Sequence, residues 1–251
     1  MDHPLDAVHE KLERAHENIL NLEREIRVFL EGGSHPTVPN DDPDAIQEAV
    51  KLDTDRIIPR RFSILSGEII HHLRSCLDHI AWQLSSPQKR ESDPAGIEFP
   101  IFSSKPVEKG AVRRYERKVE GISDAGRKII EELQPYHRDP AFLLSGPLCH
   151  PLWIIHDMDR IDKHRELVIT MATFDIPVRG IESMYLRLYR ESNFPEGDIV
   201  DLGRAFDPNS KITTQISFRE FGGGKVEAVI PGLHYLARNV HEVAGMFSGC
   251  F

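Results

Sequence analysis

Apolar residues separated by steps of three and four dominate the first thirty positions of the chain. They form one continuous seam, which predicts a long helix ending near Gly32-Gly33. The members of the seam are Leu5, Val8, Leu12, Ala15, Ile19, Leu22, Ile26 and Phe29. A seam of this length at heptad spacing needs a partner helix along most of it, either in the same chain or in a second copy.

The same periodicity predicts three further helices in the first two thirds of the sequence. The first runs from about Arg61 to Leu84, the second spans 123–134, and the third begins at Pro151, whose fixed φ suits a first helical position. Between the first two, the stretch "IEFPIFSSKP" predicts an ordered, extended segment.

Beyond residue 165 the apolar period changes from three or four to two. "SMYLRLYR" and "KITTQISFR" alternate as strands do, and the three glycines at 222–224 join the second to "KVEAVI" as a hairpin. A further strand is possible at 46–52. A final helix follows the hairpin, with its apolar side formed by Leu233, Leu236, Val240, Val243 and Phe247.

Helices followed by strands indicate an α+β protein rather than an alternating α/β one. We predict a single domain over 1–251: a mainly helical bundle at 1–165, a small antiparallel sheet at 166–230, and a closing C-terminal helix at 231–251. Neither of the glycine-rich loops that bind nucleotide phosphates occurs in the sequence.

The helix ending at Leu84 has an unusual number of polar residues in the stretch "HHLRSCLDHIAWQL". At about 100° per residue, Arg74 and His79 flank its apolar stripe, roughly 140° apart. His71, Ser75 and Asp78 lie on the opposite side. Ile64 and Trp82 share that polar line, so we expect this side to be covered as well, inside a crevice or under a partner subunit.

The helix beginning at Pro151 offers partners for these polar groups. Asp157, Arg160 and His164 share one of its faces, so that Asp157 can pair with Arg160 and Arg160 lies beside His164. Two interpretations remain open, a structural ion-pair network that holds two helices in register and a functional cluster, because both look alike in a sequence.

The net charge of −9 is unevenly distributed. Residues 1–50 hold 12 acidic and 4 basic side chains, a balance of −8, so that the remaining residues are almost neutral. A contact with RNA would therefore use the basic stretch 105–118. The alternative, which the sequence favours, is that this stretch is a solvated charged loop or helix. Its basic residues are Lys105, Lys109, Arg113, Arg114, Arg117 and Lys118.

The remaining composition limits the class of protein. Three scattered cysteines do not make a disulfide framework, no apolar run approaches the ~18 residues of a membrane span, and the first residues do not resemble a signal peptide. We therefore expect a cytoplasmic protein that does not associate with membranes. No motif predicts a cofactor.

Two motifs carry a resemblance. "LRSCLDHIAW" and the later "DRIDKHR" resemble bacterial proteins of unassigned activity that share an LRSALDHLAW-like helix and a D-x-x-D-K-H-R segment. More widely, Arg74 to His79 resembles the R-x-x-x-x-H signature of HEPN-like domains. That resemblance implies a compact helical bundle, often dimeric, and in many members a metal-independent ribonuclease; other members are inactive binding modules.

The ribonuclease activity implied by this resemblance would give four residues a chemical role. His79 would act as general acid and base because its ordinary pKa lies near neutrality, and Arg74 would clamp the phosphate. Asp78 would pair with Arg74 one turn away or with a residue across the crevice. Ser75 completes the set at a position where active nucleases often carry Asn, Asp or His. A two-fold axis near this helix would join two half-sites in a homodimer.

Two alternatives stand beside the ribonuclease. In the first, the protein is a non-enzymatic dimeric binding or structural module, and its polar cluster is a buried ion-pair network. In the second, histidines from facing helices bind a divalent metal ion, although no metal-binding motif supports this hypothesis and our prediction includes no metal site. The histidines concerned are His71, His72, His79, His156 and His164.

Overall fold

The computed structural model describes residues 3–32, 57–138, 146–177, 210–223 and 225–251. The predicted strands at 46–52 and 183–190 lie outside these residues. In chain order the helices are α1 Asp6–Glu31, α2 Arg60–Leu84, α3 Pro87–Ser92, α4 Lys109–Val119, α5 Asp124–Glu132, α6 Pro151–His164 and α7 Val229–Met246. The strands are β1 Ile169–Pro177, β2 Ser210–Phe221 and β3 Lys225–Ala228.

The apolar seam of α1 is buried against helices of the same chain. Seven of its predicted members are buried, and Phe29 packs edge-to-face on Phe62 of α2, with ring centres 5.6 Å apart. Helix α7 contacts α1 as well. The partner that the heptad spacing required is therefore supplied within the chain, and a second copy is not needed to cover this seam.

Helix α2 lies at the centre of the bundle, in contact with α1, α6 and α7. Its predicted apolar stripe is buried along its whole length, from Phe62 to Leu84. The segment 97–101 is extended and ordered, as predicted, because Phe99 is fully buried and meets Phe247 edge-to-face at 6.1 Å. This segment lies against α2 and positions the polar groups of the candidate site.

The three strands form an antiparallel sheet in the order β1-β2-β3, with Ile169 opposite Phe218. The hairpin between β2 and β3 turns at Gly222 and Gly223, whose φ values of +47° and +72° are in the left-handed region that favours glycine. The predicted strand at 225–230 was too long, because α7 begins at Val229. Strand β1 was not predicted as a separate element.

The mainly helical α+β fold predicted from the sequence is confirmed. The short helix α3 was not predicted, and the basic segment, interpreted as a loop or a helix, contains α4. Among the described residues, no helix combines the length and the apolar character needed to cross a membrane.

Candidate functional site

Arg74 is the most buried charged group of the motif helix, with a side chain that is only 5% exposed. Its Nη1 lies 2.7 Å from Asp78 Oδ1 as an ion pair, but it is not aligned for a hydrogen bond. Its Nη2 donates to the Phe99 carbonyl at 3.1 Å and lies 3.6 Å from Glu98 Oε2. The guanidinium is therefore enclosed by groups from its own helix and from the segment 97–101.

One further cation and one histidine lie near Glu98. Lys118 of α4 lies 2.5 Å from Glu98 Oε1, and His156 of α6 is near enough to influence the pKa of the same carboxylate. We call the five residues Arg74, Asp78, Glu98, Lys118 and His156 the Arg74 cluster. Its members come from α2, α4, α6 and the segment 97–101, and ion pairs connect those of α2, α4 and the segment 97–101.

The electrostatics of the cluster follow from burial and from these pairings. Burial raises the pKa of Asp78 above its usual value, against the opposing charge of Arg74. Burial also acts to raise the pKa of Glu98, but the hydrogen bond and charge of Lys118 outweigh it, and the pKa is lowered. The pKa of His156 is lowered by burial and by the positive charges of Arg74 and Lys118.

Asp78 has a second contact that fixes its carboxylate. Its Oδ1 accepts a hydrogen bond of 2.9 Å from the backbone N–H of Phe99. One carboxylate therefore binds both the Arg74 side chain and the backbone of the segment 97–101. The predicted pairing of Asp78 with Arg74 is confirmed, and its effect is to attach that segment to α2.

His79 lies on the other flank of α2, facing α1. Burial and the charge of Lys11 lower the pKa of His79, while the neighbouring Asp78 acts in the opposite direction. Lys11 Nζ also donates to Ser75 Oγ at 3.2 Å. No hydrogen bond or ion pair links Arg74 with His79 within the described ranges, so the four predicted catalytic residues fall into two groups.

The predicted supporting residues on α6 do not belong to the Arg74 cluster. Two of them pair with each other at the surface. Arg160 Nη2 lies 2.7 Å from Asp157 Oδ1, as predicted, but the Arg160 side chain is 61% exposed. His164 is also exposed. Over the described part of the chain, neither Arg160 nor His164 makes a hydrogen bond or ion pair with the Arg74 cluster.

A direct side-chain contact between α2 and α6 is made by Asp159. This carboxylate is buried, lies 2.9 Å from His71 Nδ1 and accepts from Lys163 Nζ at 2.6 Å. Sequence reasoning did not single out Asp159 or Glu98. Asp159 is the first residue of the quoted D-x-x-D-K-H-R segment, which was a signal in the sequence, whereas Glu98 lies in "IEFP", where no local pattern marks it as a partner of Arg74.

The basic residues proposed to contact RNA differ in their surroundings: some are held in ion pairs and others, among the residues that the structure describes, are exposed without one. Arg117 pairs with Asp93 at 2.8 Å, and Lys118 is held by Glu98. Within the ranges that the structure describes, Lys109, Arg113 and Arg114 are exposed and make no ion pair. Lys105 is exposed as well.

Opposite its apolar stripe, α2 is exposed in the single chain at Ile64 and Trp82, near its two ends. Ile64 is 48% exposed and Trp82 is 37% exposed, so the expected intramolecular crevice is absent at these two positions. Arg90 lies over the Trp82 ring at 5.6 Å but does not bury it. Cover by a partner subunit, the other alternative, stays a prediction.

A metal centre of three or more protein ligands is not present in the part of the chain that the structure describes. The five histidines considered as ligands are therefore not assembled into such a centre. Comparison with known proteins adds no assignment: no family model matches the chain, and neither a curated protein nor a solved structure matches it.

Proposed function

We propose that this protein is a non-enzymatic, homodimeric helical module in which the Arg74 cluster holds the bundle together. The observation that carries the proposal is the enclosure of Arg74: its guanidinium is buried and already contacts Asp78, Glu98 and the Phe99 carbonyl. A phosphate clamp needs a guanidinium fork that is open to the ligand.

The energetics favour a structural role for this arginine. Removing one partner of a buried ion pair leaves an uncompensated charge, which costs about 3–5 kcal/mol. A phosphate entering from solvent would have to displace Asp78 or Glu98 and meet the cost of separating that pair. The separation of Arg74 from His79 onto two flanks of α2 points in the same direction, because a shared phosphate must touch both groups.

The two exposed apolar side chains of α2 support a second copy as the binding partner. Ile64 and Trp82 are about 27 Å apart along the helix. A two-fold axis crossing α2 near Leu73, midway between them, would place Ile64 of one copy against Trp82 of the other. Such an isologous contact covers both exposed apolar side chains at once.

We expect the protein to be a dimer that Ile64→Glu and Trp82→Glu each convert to a monomer, because a charge at either position would be buried in both copies of the contact. Light scattering coupled to size exclusion measures this directly. Val107→Glu is the matched control, since Val107 is 80% exposed and is not part of α2. A monomeric wild-type protein would contradict the proposed dimer, and dimers that persist in both α2 variants would show that Ile64 and Trp82 do not form the contact.

The second candidate is the metal-independent ribonuclease, which the resemblance and one feature of His79 favour. His79 is only partly buried and its pKa is lowered, so that a neutral imidazole is available near pH 7 as a proton acceptor. In this candidate Arg74 would have to leave its present partners, and the basic helix α4 would contribute Lys109, Arg113 and Arg114 to RNA binding.

We expect no cleavage of single-stranded RNA by the wild-type protein in the presence of EDTA. The measurement is a gel assay of a labelled oligonucleotide, with end-group analysis of any product. Cleavage to a cyclic phosphate that is lost in His79→Ala, while the melting temperature of the variant is unchanged, would establish the ribonuclease in place of the non-enzymatic module.

A further inference from the structure

Four histidines lie in two facing pairs along the contact between α1 and α7. His9 faces His241 with ring centres 5.9 Å apart, and His16 faces His234 with ring centres 5.5 Å apart. We call these four residues the histidine ladder. None of them belongs to the Arg74 cluster or to the histidines that sequence reasoning considered as metal ligands.

The ladder follows from helical spacing. His9 and His16 are seven residues apart on α1, and His234 and His241 are seven residues apart on α7. A spacing of seven returns to nearly the same face of a helix after two turns. Because the two helices run antiparallel, the first histidine of one helix meets the last of the other, and two successive pairs result.

The backbone under the ladder is fixed by core packing. Leu12 and Ile19 of α1 and Leu236 and Val240 of α7 are buried beside the histidine positions. The imidazoles themselves are accessible from solvent: His9 and His234 are half-buried, and His16 and His241 are exposed. Each pair therefore has a fixed separation between its helices and an open side through which a small ion can enter.

The ring separations suit shared coordination. Zinc binds a histidine nitrogen at about 2.0–2.1 Å in tetrahedral geometry, which places the centres of two imidazoles on one ion about 5 Å apart. A small rotation about the side-chain torsions brings a pair at 5.5 or 5.9 Å to this spacing. Near His234, the carboxylate of Glu23 is close enough to act on its pKa, as is the positive charge of Arg238.

We propose that the histidine ladder binds divalent transition-metal ions of the Zn²⁺ type, one ion at each pair. Two imidazoles from facing helices ligate each ion, and water completes the coordination. No third protein ligand is in place in the described residues, so binding is reversible and weaker than at a structural zinc centre. Each bound ion connects α1 to α7 and so stabilises the folded chain.

The test uses the tag-free, full-length protein and ZnCl₂ as the probe. Near pH 7.5 we expect calorimetric titration to give two ions per chain and about 0.2 mM zinc to raise the melting temperature by about 3 °C, reversibly on adding EDTA. His16→Gln should reduce the stoichiometry to one. The double variant His16→Gln/His241→Gln, which removes one ligand from each pair, should abolish both the binding and the shift.

The matched control is His72→Gln/His137→Gln. Both histidines lie outside the ladder and contact backbone carbonyls, of Glu68 and Glu131 respectively, through one ring nitrogen. We expect this variant to bind zinc as the wild type does. A wild-type protein that binds no zinc at about 1 mM, or a ladder double variant that keeps the wild-type stoichiometry and shift, would overturn the proposal. Neither result bears on the role of Arg74.

Discussion

Replacing Arg74 with alanine is expected to lower the free energy of unfolding by about 3–5 kcal/mol. The substitution leaves the Asp78 carboxylate partly buried without its cation, and it leaves the Phe99 carbonyl without the donor at 3.1 Å. For a chain of this size the loss corresponds to a fall of about 6–20 °C in melting temperature. Equilibrium denaturation in urea, followed by circular dichroism, measures it.

The control for this prediction is Arg113→Ala on α4. Arg113 is exposed and makes no ion pair within the described residues, so its removal should change the free energy of unfolding by less than about 0.5 kcal/mol. Equal, small losses in Arg74→Ala and Arg113→Ala would show that the enclosed guanidinium contributes no more than a surface arginine.

Acidification is expected to weaken the fold through His150, the N-cap of α6. The Nδ1 atom of His150 accepts a hydrogen bond of 3.2 Å from the Leu152 N–H, and only an unprotonated nitrogen can accept. Burial and the charge of Arg138 lower the pKa of His150 to about 4, whereas an unfolded histidine titrates near its ordinary pKa of about 6.5.

The direction of the pH effect follows from these two values. Above about pH 6.5 the imidazole is neutral in both states and its full contribution to stability is present. As the pH falls toward 4, protons bind the unfolded chain first, and about 2 kcal/mol is lost after allowance for partial exposure of the ring. Melting temperatures at about pH 7 and pH 4.5 measure the change.

The variant His150→Asn isolates this contribution, because asparagine caps a helix well and does not titrate. We expect the variant to match the wild type near neutral pH and to lose less stability on acidification, by about 2 kcal/mol. Other histidines titrate equally in both proteins. The same acid-induced loss in the wild type and the variant would show that the cap does not depend on the charge of His150.

The helices could be predicted from the sequence because they depend on the local periodicity of apolar residues. The seam of α1, the stripe of α2 and the apolar side of α7 each repeat over several turns, and each is buried as predicted. The end of the hairpin strand was misjudged at Val229 and Ile230, whose apolar character suits a strand or a buried helix turn equally well.

The candidate site could be predicted only in part, because its assembly depends on contacts between segments that are distant in the sequence. The pair formed by Asp78 and Arg74 follows from a spacing of four, and so was predicted. Glu98 reaches Arg74 only because the segment 97–101 is anchored by Phe99 in the core, and no local pattern encodes that placement. His79 was grouped with Arg74 by a motif, but helical geometry places them on different flanks of α2.

The histidine ladder could also be predicted only in part from the sequence. The spacing of seven between His9 and His16, and again between His234 and His241, is visible in the sequence. Whether this spacing produces facing pairs depends on which helices pack together and in which direction. Once the antiparallel contact of α1 with α7 is known, the two facing pairs follow directly.

A double-mutant cycle on Arg74 and Asp78, with the free energy of unfolding as the measured quantity, tests the structural role of the Arg74 cluster most directly. If the Arg74 cluster holds the bundle together, Arg74→Ala and Asp78→Ala each destabilise the protein, and the double variant loses about 2 kcal/mol less than their sum. Losses that add within about 0.5 kcal/mol would show that the two groups are not energetically coupled and would contradict the structural role assigned to Arg74.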